Sequence, residues 1–94
     1  MNESERPHIP IELLVEFPSV FVFRVIAAWS ETLIEDCRAR AERTLGRELL
    51  TVDHAMSAQG RFCSVRLSVV VVQPSDVTEV YATLREIPNL RMLL

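Results

Sequence analysis

Lysine is absent from this chain, glycine occurs only at Gly46 and Gly60, and cysteine only at Cys37 and Cys63. Two isolated glycines cannot build a glycine-rich phosphate loop. The cysteines lack a C-x-x-C spacing, which argues against a metal site or a redox pair and favours two small buried hydrophobes. His8 and His54 have no second histidine, cysteine or spaced carboxylate to complete a ligand set, so no metal is expected. Ser57, Ser64 and Ser68 sit in no nucleophile-elbow context. No apolar run approaches the ~18–20 residues that span a bilayer. These absences leave no catalytic constellation, so no enzymatic activity and no cofactor are expected.

What is present describes one small domain. Ninety-four residues, 49% hydrophobic and 24% charged, suffice for a single core. The net charge of −3 is mild and speaks against the chain as a whole binding a polyanion. All ten basic residues are arginine, the side chain suited to bidentate anion contacts, although biased composition explains the same count. The first sixteen residues scatter Glu3, Glu5, Arg6, Glu12 and Glu16 among two prolines, unlike the basic-then-apolar order of a signal peptide. A cytoplasmic protein is expected, with residues 1–15 as a flexible arm, docked near its end, and 16–94 as the folded domain.

Periodicity then divides the domain. FVFRVIAA, from Phe21, is rich in aromatic and β-branched residues and apolar on both alternations except at Arg24, which suits a central strand. Ser30 offers a helix cap, Leu33, Ile34, Cys37, Ala41 and Leu45 recur at helical spacing, and Gly46 is placed to end the helix. Asp36 with Arg40, and Arg38 with Glu42, would pair along its solvated side. Alternation of Leu50, Val52, His54 and Met56 predicts a half-buried strand, with His54 as a hydrogen-bonded core residue. Gln59-Gly60 turns the chain into a third strand through Cys63, Val65, Leu67 and Val69. Ser75 would cap a second helix with an inward stripe of Val77, Val80, Tyr81, Leu84 and Ile87, and LRMLL closes the chain as a strand. Trp29 is expected to cover one end of the core.

Strand, helix, strand, strand, helix, strand is the order of a ferredoxin-like α+β sandwich: a four-stranded antiparallel sheet, order 4-1-3-2, with both helices on one face. The other face is then uncovered. Alternation assigns to it Val22, Arg24 and Ile26, then Phe62, Ser64, Arg66 and Ser68, then Thr51 and Asp53, and finally Arg91 and Leu93, while Leu90, Met92 and Leu94 go inward. Arg24, Phe62, Ser64, Arg66 and Arg91 are therefore the candidate binding residues. Three occupants remain open: a second copy of the chain, a small anionic ligand held by the arginines, or RNA stacked on Phe62.

The stretches EFPSVFVFRV, GRFCSVRLSV, VTEVYATL and LRMLL together resemble the YbeD-like family of small bacterial proteins, over residues 13–94. The pattern falls on Phe17, Pro18, Phe21, Arg24, Gly60, Phe62, Ser64, Val65, Tyr81, Arg91, Met92 and Leu94. The resemblance implies a ferredoxin-like fold similar to the ACT domains that bind amino acids, and a proposed regulatory role in lipoate metabolism. Ala27 stands where relatives often carry glycine, with Trp29 after it, and ACT-type sites usually need a glycine close to this junction so that backbone can approach the ligand, which speaks against ACT-type amino-acid binding. The expectation is a regulatory domain that recognises a small ligand or a partner protein and forms a homodimer.

Overall fold

The structure is a computed structural model and describes residues 16–94; the expected arm at 1–15 lies outside them. Strand β1 (Ser19–Ala28) leads to helix α1 (Leu33–Leu45), strands β2 (Thr51–Met56) and β3 (Phe62–Val71), helix α2 (Pro74–Leu84) and strand β4 (Leu90–Leu93). The sheet order is β2-β3-β1-β4, with every pairing antiparallel. This is the expected ferredoxin-like order read from the opposite edge.

The two central strands alternate strictly, which is why one sheet face becomes core. Phe23, Val25 and Ala27 of β1 and Cys63, Val65, Leu67, Val69 and Val71 of β3 are buried, and the helices close over them with Leu33, Cys37, Ala41, Val77, Val80 and Leu84. Phe23 meets Tyr81 edge to face at 4.9 Å between ring centroids, fixing α2 over β1. Both cysteines are free thiols inside this core. Burial pushes the Cys37 thiol up to about 12 and also raises that of Cys63, so both behave as inert apolar groups.

The helix ends show what local sequence can and cannot specify. Gly46 terminates α1 in the left-handed region, φ 70°, with its N–H donating to the Glu42 carbonyl, as its position implied. The start differs: Ser30 and Glu31 form a preceding turn and Thr32 takes the cap position, its carbonyl accepting from Asp36 N–H at 2.8 Å. Helix α2 likewise begins at Pro74, with Gln73 rather than Ser75 at the cap. Proline suits the first helical position because it has no N–H to leave unpaired. The side chain that ties down this start is Asp76, only 6% exposed, which accepts from Val72 N–H at 2.8 Å and from Arg47 Nη2 at 3.0 Å. Arg47 also donates to the Val70 carbonyl, at 3.0 Å from Nε and 2.6 Å from Nη2. One guanidinium thus joins the end of α1, the end of β3 and the first turn of α2.

On α1 the expected pairs form, Arg40 with Asp36 at 2.8 Å and Arg38 with Glu42, and Arg38 also engages Glu35. Among the described residues, no helix is long and apolar enough to cross a membrane.

Candidate functional site on the open sheet face

Two helices cover one side of the sheet; the other carries the side chains that alternate away from the core. Cross-strand register arranges them in rows. The central row reads Asp53, Arg66, Arg24 and Leu94 across the four-stranded sheet, since Asp53 opposes Arg66, Arg66 opposes Arg24, and Arg24 exchanges backbone hydrogen bonds of 2.9 Å with Leu94. The next row holds Ala55, Ser64, Ile26 and Met92, and the one on the other side Thr51, Ser68 and Val22.

Arg24 and Arg66 are therefore immediate neighbours. Like charges directly opposite on antiparallel strands destabilise the pair. Asp53 relieves this from the outer side, its Oδ1 3.1 Å from Arg66 Nε, but both groups are more than half exposed and water screens the contact. Among the described residues no carboxylate reaches salt-bridge distance of Arg24 or Arg91.

Arg91 does not join the other two. Its guanidinium carbon lies 5.2 Å from the centroid of the Phe62 ring, a cation–π contact at the far end of the face. Phe62 opposes Ala28, four residues along β1 from Arg24, which is roughly 13 Å at strand spacing. The candidate residues thus form two groups: Arg24 with Arg66 and Asp53, and Arg91 with Phe62. Ser64 lies between them.

The last strand departs from the expected phase. Its pairing with β1 shifts between Ile26 and Ala27, so that Ala27 opposes Leu90 while Ile26 opposes Met92. This irregularity inserts Arg91 as an extra residue and reverses the alternation beyond it. Leu93, expected outside, packs against the core with Leu90. Met92 and Leu94, expected inside, are about half exposed and belong to the open face. With Val20 and Val22, also more than half exposed, they give the face four large exposed aliphatic side chains around the arginine pair.

Two other expectations fail at the margins of the helix layer. His54 is exposed rather than core, and Met56 on the same side of β2 is exposed too, because this edge strand reaches past the helices. Leu50 is also exposed, and Leu49 packs against the core in its stead. Trp29 is 40% exposed and covers the core end only in part. Among the described residues, two cavities lie away from the arginine pair. One of about 310 Å³ sits by the hairpin, lined by Ser57, Gln59, Arg61 and Phe62; the other, about 250 Å³, lies between the end of β1 and the entrance to β4, lined by Ser30, Asp36 and Asn89 among others. Among the described residues, no three His, Cys, Asp or Glu side chains cluster to hold a metal ion.

The fold and this face define a small ferredoxin-like α+β domain with one helix layer and, opposite it, a mixed cationic and aliphatic sheet surface over which none of the described residues forms a layer. Solved structures share that architecture: protein HP0495 from H. pylori, determined in solution, has a TM-score of 0.69 at 19% identity, with 98% of this chain and 91% of that one covered. The C-terminal domain of the MgtC protein from Mycobacterium tuberculosis gives 0.60 at 16% identity, over 85% and 87%. At these identities the likeness concerns the fold. The chain belongs to the family described as "Protein of unknown function (DUF493)", which matches residues 12–94. Curated relatives include a UPF0250 protein of Haemophilus ducreyi, 26% identical over 94 residues, covering 100% of this chain and 96% of the relative. Another, from Shewanella halifaxensis, is 28% identical over 81 residues, 86% of this chain and 91% of its own. This agrees with the YbeD-like resemblance of the sequence.

Proposed function

We propose that this protein is a non-enzymatic regulatory domain whose open sheet face binds an anionic group on a ligand or partner. The observation that carries the reading is the direct opposition of Arg24 and Arg66 with a single screened acid beside them. Such a pair costs the free fold stability and is relieved when a carboxylate or phosphate bridges the two guanidinium groups.

Self-association through this face has less support. A second copy laid face to face about a two-fold axis centred on the arginine pair sets Arg66 over Arg24 when the axis runs along the strands, and each arginine over itself when it runs across them. RNA also fits poorly, because one aromatic is too few for a stacking platform and the Phe62 ring is already engaged by Arg91. The lipoate role implied by the family resemblance is chemically compatible, since lipoate is a carboxylate on an apolar tail and the face offers both partners.

The test is a titration of succinate, inorganic phosphate and lipoate into the isotopically labelled native chain at low ionic strength, followed by amide and arginine Nε–H shifts. Saturable shifts centred on Arg24 and Arg66 are expected, absent in the Arg24→Ser/Arg66→Ser double variant. Shifts confined to other surfaces, or identical in the double variant, would refute the reading.

A further inference from the structure

The arginine pair accounts for only part of the open face; among the described residues, nothing covers the aliphatic side chains around it. Val20, Val22, Met92 and Leu94 are each half exposed or more, and they make up four of the eight large hydrophobic residues exposed on the described chain. They flank Arg24 on both sides, Val20 and Val22 along its own strand and Leu94 and Met92 on the neighbouring one. A free anion would satisfy the guanidinium groups and leave these aliphatics in water.

We infer that the face receives an amphipathic helix of a partner protein, one that presents two carboxylates a turn apart among aliphatic side chains. This rests on the anion-binding reading above and names its occupant. Three features select it. Charge comes first: among the described residues the face holds three arginines against one aspartate, although the whole chain is net −3, so an acidic partner is attracted where a second copy is repelled. Spacing comes second. Opposed residues on antiparallel strands stand ~4.5–5.5 Å apart, and residues three or four apart on a helix stand ~5–6 Å apart, so one acid meets Arg24 and the next meets Arg66. Layering comes third. The sheet already carries helices on one side, and a helix on the other buries the aliphatic surface in the same manner, completing a three-layer arrangement. Around the Arg24–Arg66 pair the surface is aliphatic rather than aromatic, which suits leucine-like side chains better than stacked bases. Neither cavity described above falls on the arginine row.

The experiment selects random 16-residue peptides displayed on phage against the immobilised full chain, with the Arg24→Ser/Arg66→Ser variant as counter-target. Affinities of the enriched peptides are then measured by calorimetry. Enrichment of acid pairs three or four apart with Leu, Ile, Phe or Met between them is expected. Binding should weaken at least tenfold in the double variant and about fivefold in Val22→Ser, with thermal melts showing both variants folded. Enriched peptides lacking acid pairs, or binding unchanged in both variants, would overturn the proposal. A 12-mer oligouridylate run in parallel covers the nucleic-acid case: if it binds the native chain more tightly than any peptide, the helix is the wrong occupant while the anion-binding reading stands. If the native chain is instead a dimer by light scattering and the double variant a monomer, the face is a self-interface and the proposal falls. Failure with peptides alongside normal succinate titration refutes the helix alone; failure of both removes the anion site as well.

Discussion

Replacing Asp76 by Asn tests the one buried charge among the described residues. Its carboxylate accepts from Val72 N–H and from Arg47 Nη2, and through Arg47 it holds the Val70 carbonyl. Asparagine keeps an oxygen for Val72 N–H but loses the charge facing the guanidinium. Hydrogen bonds to charged groups contribute about 1.5–3 kcal/mol each, and Arg47 remains open enough to water to recover part of its share. A loss of about 1–2 kcal/mol is expected at pH 7, which for a domain of this size lowers Tm by about 5–15 °C. Alanine, which also orphans the Val72 amide, should cost about 2–4 kcal/mol. The pH dependence sharpens the test. The Val72 amide, helped by Arg47, holds the Asp76 carboxyl below its ordinary value of 3.8. A depressed carboxyl stabilises the fold fully above the unfolded value and loses that contribution as pH falls through the folded one. The gap between native and Asn variants should therefore be constant from pH 7 to about 5 and close below about 4. Urea unfolding followed by circular dichroism at pH 7, 5, 3.5 and 2.5 measures it. Equal midpoints at pH 7, or a gap that persists undiminished at pH 2.5, would refute the reasoning.

Two further outcomes follow from the backbone and the core. Gly46→Ala meets no neighbouring atom within 4 Å, so its cost is that of placing a Cβ at φ 70° alone; about 1 kcal/mol is expected by denaturant melts, and a neutral result would show that the helix end rearranges without loss. Cys37 and Cys63 should react with an aromatic disulfide reagent at pH 8 only on the timescale of unfolding, since burial raises both thiols; rapid labelling of either in the native chain would contradict its place in the core.

How much of this was legible beforehand depended on the range of the interaction involved. The central strands were readable because alternation within each one decides burial: Cys63, Val65, Leu67 and Val69 face the helices as their spacing implied. The last strand was not, because its phase is set by a register shift against β1, and nothing within LRMLL encodes a bulge. That one shift moved Met92 and Leu94 to the open face and Leu93 inward, giving the arginines two aliphatic neighbours from β4 where one was expected. His54 obeyed its alternation and still emerged exposed, because burial at an edge strand depends on how far the helices extend. The Arg47–Asp76 contact joins residues 29 apart in sequence, and no local pattern pairs them. Both helix starts were misplaced by two residues since Ser30 and Ser75 resemble caps, while Pro74 and the turn before Leu33 set the true boundaries.

If the arginine pair is kept for a partner, removing half of it should help the free protein. Arg24 opposes Arg66, and like charges so placed cost about 0.2–1 kcal/mol relative to a neutral pair. Threonine has the higher strand preference, so Arg24→Thr should leave the register intact and raise stability by a few tenths to about 1 kcal/mol at low salt. The gain should shrink in 0.5–1 M salt, at roughly a 3–4 Å Debye length, because it comes from repulsion between exposed charges. Asp53→Asn works in the opposite sense, since Arg66 then loses the acid 3.1 Å away and both arginines stand uncompensated. The pair of variants separates two accounts of the face. Opposite shifts, both weakened by salt, mean the cations are a standing cost that binding relieves. A loss of stability in Arg24→Thr would mean that the guanidinium is a structural contact of the free fold, and the argument for a partner would lose its main support.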